Sequence, residues 1–566
     1  MQRRQNYWTR RPAAGRLSRR KFMGSAAGVG AGAAGLALVG CGNDDDTPAD
    51  DTANGNGNGN GDDAAPQPTP DESEVQRGGR LRTGTYLDVL GIDPHIEVSV
   101  GLTTAQRVYT YLGRMDDVHN EFHPLLASDH EQPSDTEHIF HLREDANFHD
   151  IAPVNGRQVT AQDVLYSLER FRDLPEAQNN DFFKEVVESM EAVDDYTFRV
   201  TTHVPYAEAL SELGGSQAAI VPQEAVEEFG DLSNDAIGAG PYMLEEYVRG
   251  ESELLVRNPD YFDGDLPYLD EYHRITILDN TALLQAYEGD ELDINGALLN
   301  ALDFETVEQL PDRVSGSMPA LHYASLGLNA SMEPFNDPRV REAIYLALDP
   351  AEFIDRVGFG EGRAQGALSP GLEQWAITQD ELEPYVAPNR ERARELLAEA
   401  GYENGFDLVI DTSQGVQLYI DHAEIVVPAL QEIGINAELQ LHDLSTYLST
   451  VLFAGDFHAT VFTHNPYETP NIPLGMYHRR GIGTHNWFGY ENDEVSDLID
   501  AQSQELDLEA RQERVRDAQF AILDDRAPMI NLFSPTLFWS YHERVGGYDP
   551  AYRGFQNSRS TEFLRS

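Results

Sequence analysis

The sequence predicts an α/β protein of two or three domains, on three observations. The chain has 566 residues, well beyond one ordinary domain of about 100 to 200 residues. Hydrophobic residues make up 40% of it, enough to fill real cores. After Gly401, short β-like segments alternate with helical ones, the pattern that builds parallel crossovers and an open α/β sheet.

Taken in order, residues 81–85 read as a short strand and residues 140–143 as another, followed by a turn at Asn155-Gly156. Thr160 with Asp163 three residues later has capping-box spacing, Asp standing in for the usual Glu or Gln. Val164, Leu165, Leu168 and Phe171 then recur at helical spacing. Asp337-Pro338 offers an N-cap and a first-turn proline to a helix with Val340, Ile344, Ala347 and Leu348 on one face. Asn389 caps the next helix, which turns Ala393, Leu396, Leu397 and Ala400 inward and stops at Gly401. A strand over 406–411, a helix ending at Gln431, a strand over 435–441, a helix around Tyr447 and a strand over 459–463 complete the run. Sequence repeats are otherwise absent.

Charge sets the next constraint. With 40 basic and 97 acidic residues the formal charge is −57; the first forty residues hold eight Lys or Arg and no acid, so removing those eight positive charges leaves −65. Such a field repels nucleic acid and anionic lipid. Only two lysines occur, Lys21 and Lys184. A folded chain with this self-repulsion fits concentrated salt, where the Debye length shrinks to about 3 Å at 1 M, and the composition resembles that of a halophile. One cysteine, Cys41, excludes an intramolecular disulfide and any zinc site built from several cysteines.

The N-terminus reads as an address rather than a fold. Ser18-Arg19-Arg20-Lys21-Phe22-Met23 precedes a weakly apolar run of Ala, Gly, Val and Leu that closes with Leu38-Val39-Gly40-Cys41. The first motif resembles a twin-arginine export signal and the second the lipobox of exported lipoproteins. Together they imply that residues 1–40 are removed and that the mature chain starts at a lipidated Cys41. An uncleaved transmembrane anchor is the alternative, but the run is rich in Gly and Ala where spanning needs about 20 predominantly apolar residues. Residues 41–77, with Asp44-Asp45-Asp46, four Asn-Gly pairs from Asn54 to Gly61, and Pro66, Pro68 and Pro70, form a disordered acidic tether.

Catalytic signatures are missing. Neither lysine sits in a Walker loop. His130-Glu131 and His542-Glu543 begin like a zinc-protease helix but lack a second His at the required spacing. No Gly-x-Ser-x-Gly elbow occurs. His138, His141 and His149 raise a metal site, but on a regular strand His138 and His141 point to opposite faces. Acidic pairs such as Asp194-Asp195 carry little information in so acidic a chain.

Several blocks then bear on family. Phe140 to His149 and Thr160 to Arg170 pair a Leu-Arg strand and a Phe-His-Asp turn with a helix containing Asp-Val. The turn departs from the usual pattern, having Ile151 where Gly is common. Gly238-Ala-Gly-Pro-Tyr-Met-Leu244, Leu255 to Phe262, Pro267 to Glu271, Phe335 to Ile344, Phe488-Gly-Tyr490 and Ala527-Pro528 follow in order. These blocks, spread over nearly the whole body from about Gly78, resemble the family 5 extracellular solute-binding proteins, the capture components of dipeptide, oligopeptide and nickel ABC transporters. The resemblance implies a two-lobed periplasmic-binding-protein-like fold of class II, with an extra subdomain in the N-terminal lobe and the ligand cleft between lobes. It divides the body into lobe I (78–318, extra subdomain about 116–236), lobe II (319–530) and a return to lobe I (531–566). The crossings fall near Pro319 to Leu326 and Ile530 to Trp539.

The resemblance also implies a function: a lipid-anchored protein on the outer face of the cytoplasmic membrane, not an enzyme and without cofactor. It would capture peptides or similar small organic solutes as a monomer and deliver them to a permease with its ATPase. In the dipeptide branch an acid anchors the ligand ammonium in a loop matching His464 to Pro470, where this chain offers Glu468 in place of the usual Asp. Asn465, Tyr467, Trp487, Trp375 and Tyr86 are the other candidates to line the cleft. The rival readings are a nickel or metal-chelate carrier using His464 or His485, a secreted hydrolase, and a surface sensor.

Overall fold

The computed structural model describes residues 75–89, 91–97, 101–116, 121–264, 266–548 and 562–565. The expected export signal, the expected lipidation site Cys41 and nearly all of the segment 41–77 expected to be a tether lie outside the described residues.

Two groups of strands organise the chain. In the first, Arg80–Thr85 runs parallel to Glu271–Thr276, which continues antiparallel through Ser252–Arg257 to Tyr242–Val248. Single bridges at Ile294, to Thr83 and to Tyr541, join this sheet to the antiparallel pair Arg313–Pro319 and Thr536–His542. A separate antiparallel sheet, ordered Ala127–Ser134, Glu137–Leu142, Thr197–Thr202, Val187–Asp194, extends the same lobe. The two sheets share one core: Leu81, Tyr242 and Leu255 from the first belong to the same buried cluster as Phe140, Phe198 and Val200 from the second. The extension is therefore packed onto the lobe and not hung from it.

The second group forms lobe II, a five-stranded sheet ordered Asn436–His442, Asp407–Ser413, Ala459–Thr463, Ala324–Leu328, Met529–Phe533. Its first three strands are parallel, as the alternation of strand and helix predicts; the last two, which connect to lobe I, add on antiparallel. Separate apolar clusters cover its two faces. One contains Ile344, Leu396, Leu397 and Val426 and the other Tyr447, Leu474, Phe488 and Val515. Gly327 in the central strand sits where a Cβ would meet the Phe488 ring at 2.2 Å.

Local signals explain the element boundaries. Thr160 and Asp163 complete both halves of a capping box at the start of Ala161–Asp173, whose Val164, Leu168 and Phe171 are buried while Leu165 is only partly so. Asp337 caps Pro338–Ala347 by accepting from Arg339 N at 2.9 Å. Asn389 caps Arg390–Glu399, and Gly401 takes the left-handed backbone that ends it. Three details differ from expectation. Arg143 lies beyond the end of Glu137–Leu142, turned instead to ion-pair with Asp145 and stack on Phe262. Ala400 is the partly buried C-cap of its helix, not an interior residue. The helix near Tyr447 is one turn, Leu444–Thr446, continuing as the wider π-turn Tyr447–Leu452.

The chain crosses between lobes twice, side by side. Arg313–Pro319 pairs with Thr536–His542 in lobe I, and Ala324–Leu328 pairs with Met529–Phe533 in lobe II. The connecting segments, 320–323 and 534–535, bond to each other: Ala320 N donates to Pro535 O at 3.0 Å, and the Ser534 hydroxyl donates to Ala320 O at 3.0 Å.

Candidate functional site: the cleft between the lobes

The strand Ala459–Thr463 ends at the edge of lobe II that faces lobe I, and the loop leaving it builds one wall of a cavity. His464 fixes the start of that loop. Its backbone N donates to Tyr323 O at 2.8 Å, its ring stacks on Tyr323 with centroids 4.3 Å apart, and Nε2 lies 3.0 Å from Ser325 Oγ. Ser325 gives its own proton to Asn531 at 2.6 Å, so His464 Nε2 carries the hydrogen. Burial pushes the imidazole pKa down to about 3, so the ring is neutral.

The far end of the loop is held by the other lobe. Glu208 of lobe I accepts from Thr469 Oγ1 at 2.7 Å and from Asn471 N at 3.2 Å, and it pairs with Arg511 of lobe II. Both side chains of that pair are almost fully buried, at 2% and 6% exposure. Two further contacts tie the lobes nearby: Ala207 N donates to Ser503 O at 2.8 Å, and Asp181 pairs with His485. Glu468 is thus carried on a loop clamped at both ends, by lobe II through His464 and by lobe I through Glu208.

The cavity beside this loop has a volume of about 370 Å³. Asn465 to Thr469 and Ile472 line it from lobe II; Leu102, Thr103, Asn179, Glu212 and the stretch Gly215 to Ala218 line it from lobe I. A second cavity of about 260 Å³ lies beside the crossing strands, between Leu299, Ala301 and Phe538 on one side and Val357, Phe359 and Leu418 on the other.

A model of the bacterial extracellular solute-binding proteins, family 5 (the middle region), matches residues 121–481. This chain belongs to that family. The family 5 chain is similar to the oligopeptide-binding protein AppA of Bacillus subtilis, 26% identical over 468 residues that cover 78% of this chain and 83% of the relative. It is also similar to heme-binding protein A of Haemophilus influenzae, 26% identical over 491 residues covering 81% and 88%. Among solved structures, the periplasmic binding protein DppA of Helicobacter pylori in complex with the peptide STSA matches with a TM-score of 0.75 at 24% identity, over 87% of this chain and 99% of that one. The two-lobed α/β architecture is therefore the fold of this chain, and its kin are solute-binding proteins rather than enzymes.

Within this family 5 protein the residues singled out from sequence fall in different places. Asn465, Tyr467 and Glu468 line the 370 Å³ cavity together. Burial pushes the Tyr467 hydroxyl up to about 12. Tyr86 lies beside Leu87, which does line that cavity, but itself packs partly buried against the Leu283 and Tyr287 cluster. Trp375 is 8% exposed in the lobe II core with the Arg511 guanidinium 4.8 Å from its ring, and Trp487 packs on Phe453 and Phe462; neither lines either cavity. The two histidines of the nickel reading are separately engaged, His464 beneath the loop and His485 on Asp181. Sequence reasoning missed Glu208, Glu212 and Arg511. The only signal was the four-residue spacing of Glu208 and Glu212, and 97 acids in the chain drown it.

Proposed function

We propose that this chain is the exported capture subunit of an ABC importer, taking up peptides or similar small organic solutes and passing them to a membrane permease with its ATPase. The observation that carries the reading is the 370 Å³ cavity lined by both lobes, with Glu468 on a loop clamped from both sides. Its size falls in the range of about 300 to 1,000 Å³ found for small-molecule sites. A carboxylate there suits a ligand ammonium, since charge-assisted hydrogen bonds are roughly twice as strong as neutral ones. Relatives named for oligopeptide and for heme binding support solute capture and differ in cargo, so the ligand class rests on the cavity.

The twin-arginine motif and Leu38-Val39-Gly40-Cys41 support export and lipid attachment at Cys41, and the excess of acid supports work in concentrated salt. Lobe I then comprises 78–318 with its extra subdomain at about 116–236, and lobe II begins at 319; its expected end at 530 shifts to the connector 534–535, because Met529–Phe533 is a strand of the lobe II sheet, and the return to lobe I follows it. The protein acts as a monomer. The adjacent connectors 320–323 and 534–535 serve as the hinge about which the lobes close on ligand.

Thermal unfolding against a dipeptide and tripeptide pool, and separately against Ni²⁺, tests the reading. A ligand at a hundredfold excess over Kd adds about 2.7 kcal/mol of stability. A raised midpoint with peptides is expected; a rise with Ni²⁺ and none with any peptide would overturn the peptide reading.

A further inference from the structure

On the lobe I side of the cleft two acids, Asp181 and Glu208, act on a third, Glu212. Two of them meet a cation from lobe II. Asp181 pairs with His485, and Glu208 with Arg511. The third has no such partner: among the described residues the Glu212 carboxylate makes no hydrogen bond and no ion pair, although it lines the 370 Å³ cavity. The backbone explains the placement. Glu208 is the N-cap of the short helix Ala209–Leu213, and Glu212 N donates to Glu208 O at 2.9 Å, which sets the two side chains on neighbouring positions of one face. Glu208 reaches Arg511 across the lobe boundary, and Glu212 is left facing the cavity.

The rest of the lining sharpens this. It contains a second carboxylate, Glu468, and no Lys, Arg or His. Among the described residues no cation of the protein lines the cavity beside Glu212, and a carboxylate partly withdrawn from water is costly unless a cation meets it. Burial first, then Glu208 and Asp181, holds the Glu212 carboxyl up at about 8, the direction expected of an acid waiting for a cation.

We propose that Glu212 is a specificity-determining residue that receives a second cationic group of the ligand, the first being held by Glu468. The part of the ligand in this cavity is then a diammonium unit on a short aliphatic frame. Two sources carry that chemistry: a peptide whose N-terminal residue is basic, presenting its α-ammonium and its side-chain cation together, and a free aliphatic diamine. The inference rests on the peptide-capture reading above and narrows its substrate class.

The test is calorimetric titration of the full-length protein and of Glu212→Gln with four probes: Ala-Ala, Lys-Ala, Ala-Lys and 1,4-diaminobutane. A charge-assisted contact predicts that the wild type binds Lys-Ala at least about tenfold more tightly than Ala-Ala. Glu212→Gln should abolish that preference, and a cooperative thermal unfolding transition of the unliganded variant shows that it is folded. Ala-Lys should bind no better than Ala-Ala. Diaminobutane binding that Glu212→Gln weakens, with no binding of any of the three dipeptides, assigns the site to diamines and supports the role of Glu212 while contradicting peptide capture. Equal wild-type affinity for Ala-Ala and Lys-Ala with no diamine binding, or a Lys-Ala preference that survives in Glu212→Gln, would overturn the inference and leave peptide capture standing. Binding of none of the four overturns both.

Discussion

Arg511→Met should weaken ligand binding without touching the ligand. The substitution keeps an apolar stem against Trp375 but removes the guanidinium that pairs with Glu208. Glu208 is 2% exposed and accepts from Thr469 and Asn471 as well, so with the lobes together its charge would stay buried with two hydrogen bonds and no cation. Breaking a buried pair from one side costs about 3 to 5 kcal/mol. That figure is an upper bound, because opening the lobes would return Glu208 to water. A charged hydrogen bond, at about 1.5 to 3 kcal/mol, is the better measure of what closure loses. At 1.4 kcal/mol per tenfold this lowers the closed-to-open ratio about 10- to 100-fold, and apparent affinity falls with the binding-competent fraction. Calorimetry reads the affinity, and small-angle scattering with and without ligand reads the closure. A variant with unchanged affinity and unchanged compaction would refute the claim that this pair latches the lobes. Glu208→Gln, alone and combined with Arg511→Met, completes a double-mutant cycle that separates the pair's coupling from each side chain's other contacts.

The remaining predictions follow from charge and from the loop. The Asp181 hydrogen bond raises the pKa of His485 above 6.5, and the same contact lowers Asp181 below 3.8. The His485 contribution is present below pH 6.5 and lost as pH rises through its raised value; the Asp181 contribution is present above pH 3.8 and lost as pH falls through its lowered one. Lobe contact through this pair is therefore at full strength between about pH 4 and 6.5, and His485→Ala should lower the unfolding midpoint there and remove this pair's share of the fall in midpoint as pH rises above 6.5. An unaltered profile would deny the pair a role. The Glu212 carboxyl, held at about 8 against 4.5 unfolded, makes the native state bind a proton that the unfolded chain releases, so stability falls as pH rises from 4.5 to 8. Glu212→Gln should remove that fall, and a variant that still loses stability over the interval to the same extent would argue against it. Glu468→Gln should weaken binding of every ammonium-bearing ligand alike by about tenfold or more, as read by calorimetry; unchanged affinity would reject its anchoring role.

Local structure was legible wherever a single residue type dictates it. Capping by Thr160, Asp337 and Asn389, and the glycine stop at Gly401, are decided within four residues of chain, and helices begin and end there. Alternation of strand and helix after Gly401 implied parallel pairing, and the three strands it joins are parallel. It was silent on the antiparallel half of the same sheet, because Ala324–Leu328 and Met529–Phe533 meet across 200 intervening residues. The Asn465 to Glu468 loop could be found because it follows a recognisable strand and carries family-like residues. Glu208, Glu212 and Arg511 could not, because their meaning depends on which acids find a cation across the lobe boundary. Trp375 shows the converse: a large aromatic residue suggested a cleft wall, but the Arg511 stacked on it belongs to the latch, and Trp375 packs in the core behind.

The central claim is that the cleft between these lobes holds a cationic peptide-like solute. Mass spectrometry of whatever is released when natively purified protein is denatured tests it most directly. The account predicts short peptides or amines enriched in a basic first residue, and it predicts their loss from protein carrying Glu468→Gln together with Glu212→Gln. Release of nickel or of an anionic solute from the wild-type protein, retained in that double variant, would contradict it.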